Sequence, residues 1–216
     1  MLIGTLLLKL ITIGRTGILG ILKKNSMHYI ENTRNLFLYY KQLGDQSMTQ
    51  LEEKELFWKY AADENSIATI VKHLSGNMLS RWTDFMTADG EKTWRNRDDE
   101  FEDATLKNKA EVLEAWEKGW NCLFEAIDPL TDEDLEHIIY IRNQGHTVVE
   151  AINRQLGHYA YHVGQLVLLA KLQKGKAWQP LSIGKGASKD YNKNKFAVEK
   201  GSRHFTEEFL DKEKKK

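Results

Sequence analysis

Four long stretches of apolar residues at helical spacing constrain the fold of this chain most strongly. They cover about residues 29–60, 67–85, 106–127 and 147–172, and apolar side chains that recur every three or four residues share one face of an α-helix. Only two prolines occur in 216 residues, and Pro129 follows the third stretch, where it predicts the end of that helix. The sequence shows neither a regular series of strand-like segments nor an internal repeat. It therefore predicts an all-α fold with four helices in one bundle.

Turn-forming residues set the predicted boundaries of these helices. The Gly44-Asp45 pair predicts a break in the first stretch, with helix resuming over residues 51–60. The Asp89-Gly90 pair predicts the end of the second helix. The segment from Leu135 to Ile141 fits either a short strand or a turn of helix.

The net charge of zero is the sum over three segments of the chain that differ in charge. Residues 1–26 carry four basic and no acidic residues, residues 184–216 carry ten basic and six acidic ones, and residues 27–183 carry 17 basic and 25 acidic ones. Because an acidic body repels phosphate backbones, nucleic acid is not an expected partner. The sequence thus predicts an extra N-terminal segment, a working domain over residues 27–183 and an extended basic C-terminal tail over residues 184–216.

The first 22 residues are apolar but interrupted by Lys9 and Arg15. Charges inside an apolar stretch oppose a membrane-spanning helix, and their order does not match a signal peptide. We expect residues 1–26 to be upstream sequence translated from an over-called start codon, with Met27 as the start. A membrane-surface helix over residues 1–22 is the alternative, and without it a membrane is not an expected partner. The single cysteine, Cys122, excludes a disulfide framework and fits a cytoplasmic protein.

Two histidines, His158 and His162, are four residues apart in the fourth predicted helix. This spacing places both imidazoles on one helix face, with Cβ atoms about 5–6 Å apart, and suits two ligands of one metal ion. His73, on the apolar face of the second helix, is the best candidate for a third ligand. A pair of histidines at this spacing also occurs by chance. In the alternative interpretation, His73 lies at the polar edge of its helix and binds no metal. The remaining histidines are expected at the surface or in turns: His28, His137, His146 and His204.

Four polar residues one helical turn from these histidines, or close to them, are candidates to orient a ligand or to bind a substrate. They are Asn77, Arg81, Gln155 and Gln165. Hydrogen bonds between helices are an equally good interpretation of the three amides.

The residues around these candidates suggest further packing. The charged and aromatic block over residues 81–97 is interpreted as a salt-bridged loop rather than a substrate-binding surface, and the acidic run from Asp98 to Glu100 is expected to be solvated. Gly76, Gly157 and Gly164 are expected to let the second and fourth helices approach each other closely.

Two sequence blocks carry a resemblance to a known family. The blocks HLSGNMLSRWTDFMTADGEKTWRNRDDEFE, residues 73–102, and AINRQLGHYAYHVGQLVLLAK, residues 151–171, resemble the DinB/YfiT-like superfamily, and more closely a bacterial branch of it catalogued as a domain of unknown function. The resemblance covers about residues 28–190 and implies a four-helix bundle of up-down-down-up connectivity. It also implies a divalent metal held by three histidines, which are His73, His158 and His162 in this sequence.

Characterised members of that superfamily include divalent-metal enzymes that transfer low-molecular-weight thiols, such as bacillithiol or mycothiol, onto electrophiles. A three-histidine metal site predicts a metal-dependent transferase or hydrolase that acts on a small molecule, and the resemblance alone favours thiol transfer. Three neutral ligands leave an open coordination position, and imidazole suits zinc or nickel while also accepting copper or iron. The alternative is a non-catalytic bundle, with a structural metal or none, that forms a homodimer through an aromatic face. Trp116 and Trp120 are candidates for that face, although both equally fit the core.

Overall fold

The computed structural model describes residues 29–102 and 105–210. The predictions for residues 1–26, for a start at Met27 and for His28 therefore lie outside the described residues, as do residues 211–216 of the predicted tail. Within the described ranges the protein is mostly helical, with two short strands. None of the helices described there is long and apolar enough to cross a membrane.

Four long and three short α-helices follow one another along the described chain. They are α1 (Tyr29–Thr49), α2 (Glu53–Leu56), α3 (Ile67–Trp82), α4 (Lys109–Ile127), α5 (Val148–Lys174), α6 (Ser188–Phe196) and α7 (Glu207–Leu210). Between α4 and α5 lie two antiparallel strands, β1 (Ile138–Ile141) and β2 (Gln144–Thr147). Single turns of 3₁₀-helix cover Asp98–Phe101, Asp132–Asp134 and Gly175–Ala177.

Helix α1 continues through the position where the sequence predicted a break. Gly44 is buried inside this helix, and a Cβ added there would lie 2.3 Å from Cζ2 of Trp116. The missing side chain therefore admits the indole ring, and Asp45 accepts a hydrogen bond of 2.5 Å from its Nε1. The prediction of a break at Gly44-Asp45 is wrong, because this glycine serves packing between helices rather than helix termination.

Two other predicted helices are shorter in the structure. Only Glu53–Leu56 is helical within the predicted helix over residues 51–60. Helix α3 ends at Trp82 instead of continuing to Phe85, and Asp84, two residues beyond its end, has a φ of 48°, which breaks the right-handed path.

The segment that the sequence left open between strand and helix contains β1 of a hairpin. The hairpin turn consists of Arg142 and Asn143, whose φ angles of 55° and 59° fit a tight turn with two left-handed residues. Both backbone N–H groups donate to the carboxylate of Asp89 at 2.8 Å. Asp89 therefore fastens the hairpin to the loop that follows α3.

The four long helices share one hydrophobic core. Helix α3 packs against α4 and α5, while α1 packs mainly against α5. Aromatic rings fill the centre of the core, with centroids between 5.4 and 6.4 Å apart. These rings belong to Phe37, Trp82, Trp116, Trp120 and Tyr159. Trp116 and Trp120 are almost completely buried, so they belong to the core and do not form an exposed aromatic face.

The glycines expected to bring α3 and α5 together do not do so. A Cβ added at Gly157 or Gly164 would meet no described atom within 4 Å, and at Gly76 it would meet a loop carboxylate instead of α5. At Gly119 of α4, in contrast, an added Cβ would meet the backbone of another helix, 2.9 Å from Cα of Ser75 in α3. The expectation was wrong because glycine spacing does not reveal which helix a glycine faces.

The C-terminal segment, expected to be extended, includes α6 and α7 and folds back onto α1. His204 is buried, and its ring nitrogens form hydrogen bonds with Thr206 at 2.6 Å and with Asn32 of α1 at 2.9 Å. Gln42 of α1 donates a hydrogen bond of 2.9 Å to the backbone carbonyl of Phe209. The expected surface position of His204 is therefore wrong, because contacts distant in sequence cover it.

Candidate metal centre

Helices α3 and α5 bring three histidines together. His73 comes from the buried face of α3, and His158 and His162 come from successive turns of α5. The Nε2 atoms of His73 and His158 are 3.3 Å apart, and one ring nitrogen of each histidine lies within 4.8 Å of the other two. Two nitrogens bound to one ion at about 2.0–2.1 Å and a tetrahedral angle are themselves about 3.3 Å apart. The three histidines therefore have the donor type and the proximity that a metal ion requires.

A buried carboxylate fixes the orientation of His73. The Nδ1 atom of His73 donates a hydrogen bond of 2.8 Å to Glu100, which leaves Nε2 with the lone pair that a metal needs. Arg95 donates two hydrogen bonds to the same carboxylate, of 2.7 and 2.9 Å. Burial raises the pKa of Glu100, but the hydrogen bonds from His73 and Arg95 outweigh it and hold that pKa below its ordinary value. Glu100 is therefore an anion that orients His73.

The role of Glu100 was missed in the sequence, where the run from Asp98 to Glu100 was expected to be solvated. That expectation is wrong for Glu100, which is 5% exposed and packs under Gly76 of α3. A Cβ on Gly76 would lie 2.3 Å from Oε1 of Glu100, so only glycine leaves room for the carboxylate. The one signal in the sequence was the aromatic residue that follows this run, Phe101, because a fully solvated run is not expected to end on an apolar ring. In the structure, the ring of Phe101 lies 4.9 Å from that of His73.

Gln165 is the polar candidate that contacts the histidine cluster. Its Oε1 atom forms a hydrogen bond of 2.8 Å with Nδ1 of His162, and its Nε2 donates to the hydroxyl of Tyr161 at 3.0 Å. With Nδ1 occupied in this way, the Nε2 atom of His162 is the nitrogen available to a metal.

The structure places the other three candidates in different surroundings. Asn77 accepts a hydrogen bond of 3.1 Å from the buried hydroxyl of Tyr159. Arg81 forms an ion pair of 3.0 Å with Glu91 in the loop after α3, which is salt-bridged as the sequence predicted. Gln155 is buried one turn before the first α5 histidine, and its Oε1 has no hydrogen-bond partner among the described residues. Asn77 thus contacts the hydrophobic core and Arg81 contacts the loop after α3, rather than the histidine cluster.

Burial keeps the α5 histidines neutral. It lowers the pKa of His158 to about 3, and the neighbouring His162 and His73 contribute further. Burial and His73 also lower the pKa of His162. The Nδ1 atom of His158 is buried with no hydrogen-bond partner among the described residues. Both imidazoles therefore offer lone pairs at neutral pH, the form in which histidine binds metals.

Comparisons with known proteins place the chain in a family. No curated protein and no solved structure matches it significantly. A family model described as "Protein of unknown function (DUF1572)" matches residues 24–187, a span that contains the three clustered histidines and Glu100. Since the match covers more than half of the chain, this protein belongs to the DUF1572 family.

Proposed function

We propose that this protein is a DinB-like metalloenzyme in which His73, His158 and His162 hold a divalent metal ion. The observation that carries the proposal is the convergence of three ring nitrogens, one pair of them at 3.3 Å. All three donors are imidazoles, for which zinc and nickel are the ions we favour. The hydrogen bonds that fix His73 and His162 support the proposal further, since partners of this kind orient metal-binding imidazoles.

The DinB-like assignment includes a four-helix bundle of up-down-down-up connectivity over residues 27–183. Its support is the shared core of α1, α3, α4 and α5, together with the resemblance in the two sequence blocks. The connection between α3 and α4 covers residues 83–108. A 16-residue helix such as α3 is about 24 Å long, so this connection is long enough to return the chain for a parallel neighbour.

A catalytic role is favoured over a purely structural one by the number of ligands. Three protein ligands leave a position for water or a substrate, whereas structural zinc sites have four. His158 and His162 are only half-buried, so the cluster is accessible from solvent. When bound there, a divalent ion lowers the pKa of a coordinated water or thiol and supplies a nucleophile near neutral pH. The histidines leave the charge of the ion uncompensated, and Glu100 and Gln165 hold two of them in place.

Thiol transfer is the reaction class that we favour, with hydrolysis as its close relative. In thiol transfer, the sulfur of a low-molecular-weight thiol forms a bond to an electrophilic carbon of the second substrate. The leaving group departs with the bonding electron pair, and the thiol proton is released to solvent. In hydrolysis, water takes the place of the thiol.

Cobalt substitution tests this proposal directly. Protein reconstituted with Co²⁺ is expected to show visible bands of nitrogen coordination, and added β-mercaptoethanol is expected to produce a sulfur-to-cobalt charge-transfer band. Ethylene glycol, which lacks the thiol, serves as the control. His162→Ala is expected to abolish both signals, whereas His137→Ala, at an exposed histidine outside the cluster, is expected to retain them. A cobalt spectrum that the thiol leaves unchanged would contradict an open site.

A further inference from the structure

An apolar pocket opens beside the histidine cluster. It lies in the groove between α3 and α5 and has a volume of about 390 Å³. Pockets that bind small molecules span about 300–1,000 Å³ and are lined mainly by apolar side chains. The apolar walls come from Ile70 on α3 and from Leu168, Leu169 and Leu172 on α5.

Gln165 connects this pocket to the histidine cluster. Its side chain lines the pocket and also forms the 2.8 Å hydrogen bond with Nδ1 of His162. On the facing helix, Ile70 lies one turn before His73. Since a helix rises 1.5 Å per residue, the pocket begins about 5 Å from His162 along α5 and reaches about 15 Å from it at Leu172.

The wall of the pocket beyond Gln165 is apolar along α5 and polar just before the start of α3. Leu168 and Leu172 are 57% and 53% exposed, and Tyr60 beside them is 74% exposed. Exposed apolar side chains grouped around one cleft mark binding sites. Glu64 and Asn65 also line the pocket, just before the start of α3. A fitting ligand therefore has a long apolar part, with its reactive group at the histidine end.

We infer that this pocket binds the apolar part of the substrate that reacts at the histidine cluster. The substrate class is then a small molecule with an aliphatic or aryl chain next to its reactive group. This inference rests on the proposed metal function, because the cluster supplies the reactive end. A concave pocket whose wall includes Gln165, the hydrogen-bond partner of His162, suits a small molecule better than it suits the surface of a second copy of this chain, the competing occupant.

Alkyl hydroxamates of increasing length test the inference, because their head group chelates divalent ions while the tail is varied. Zinc-loaded protein is titrated calorimetrically with acetohydroxamate, butanohydroxamate, hexanohydroxamate and octanohydroxamate. Burying one methylene contributes about 0.8 kcal/mol, so each methylene that enters the pocket is expected to lower Kd about fourfold.

Three leucine variants locate the effect along the groove. Leu168→Glu is expected to abolish the gain in affinity from longer chains while leaving acetohydroxamate binding unchanged. Leu172→Glu, one turn further from the cluster, is expected to affect octanohydroxamate alone. Leu113→Glu is the matched control, since this leucine is exposed on α4 and does not line the pocket.

The outcomes separate this inference from the proposed function. Equal affinity for all four hydroxamates overturns the substrate pocket and leaves the metal site standing. No binding of any hydroxamate, or binding that survives His162→Ala, overturns both. A dimer that dissociates in Leu168→Glu, together with affinities independent of chain length, assigns the groove to a second copy and overturns the inference.

Discussion

Alanine at position 76 is expected to disturb the candidate metal centre through Glu100. The Cβ added to Gly76 would lie 2.3 Å from Oε1 and 2.9 Å from Cδ of Glu100, far inside van der Waals contact. Glu100 is buried and held by Arg95 at 2.7 Å and by His73 at 2.8 Å. The carboxylate therefore cannot move away without losing these partners.

Two opposing contributions set the size of the effect. Alanine in place of glycine inside a helix stabilises it by about 1 kcal/mol. Separating the carboxylate of Glu100 from Arg95, whose side chain is 2% exposed, leaves a buried charge uncompensated, which costs about 3–5 kcal/mol. The free energy of unfolding of Gly76→Ala is thus expected to fall by about 2–4 kcal/mol. Loss of the partner that orients His73 is expected to weaken metal binding by about 10–100-fold.

Urea denaturation of the metal-free protein and zinc titration of the folded protein measure the two effects. Gly157→Ala is the matched control, because this glycine also lies inside a long helix but has open space around it. Alanine there is expected to stabilise the protein by up to about 1 kcal/mol without weakening zinc binding. If Gly76→Ala is as stable as the wild type and binds zinc equally well, the packing of Glu100 described above is refuted.

Two further predictions concern pH and helix packing. The pKa of His158 is about 3 in the folded protein, and its ordinary value is 6.5, so the unfolded chain takes up this proton first as the pH falls. The contribution of His158 to the free energy of unfolding of the metal-free protein is therefore expected to decrease by about 1.4 kcal/mol per pH unit below about 6.5, levelling off near 3. Urea denaturation across this range should show a shallower dependence for His158→Ala, and identical slopes would contradict a buried neutral His158. Gly119→Ala is expected to destabilise the protein by about 1–3 kcal/mol, because its Cβ meets the backbone of Ser75, which cannot yield as a side chain can. Thermal denaturation tests this against Gly164→Ala, where open space predicts no loss.

The features predicted well from the sequence depend on local spacing. Apolar periodicity located the four long helices, and Pro129 marked the end of α4. The proximity of His158 and His162 follows from helical geometry alone. His73 required one additional assumption, that its helix neighbours the fourth, and the structure confirms that α3 and α5 are in contact.

The features that were missed depend on contacts distant in sequence. Gly44 has the local signature of a turn, and only the ring of Trp116 packed against it explains why the helix continues. Glu100 belongs to an acidic run. It is buried because its carboxylate pairs with Arg95 and fits against Gly76, which has no side chain. Neither the helix propensity of single residues nor the spacing of apolar residues predicts such contacts, because they arise when separate elements pack together.

The metal content of the untagged protein tests the central claim most directly. Elemental analysis of the wild type, purified without added metal, is expected to find about one divalent ion per chain, as a single three-histidine site requires. His73→Ala, His158→Ala and His162→Ala are each expected to lose most of that ion, while His137→Ala retains it. A wild-type protein without a stoichiometric divalent ion that also fails to bind added zinc, or a His158→Ala variant that keeps the ion, would contradict the proposed metal site.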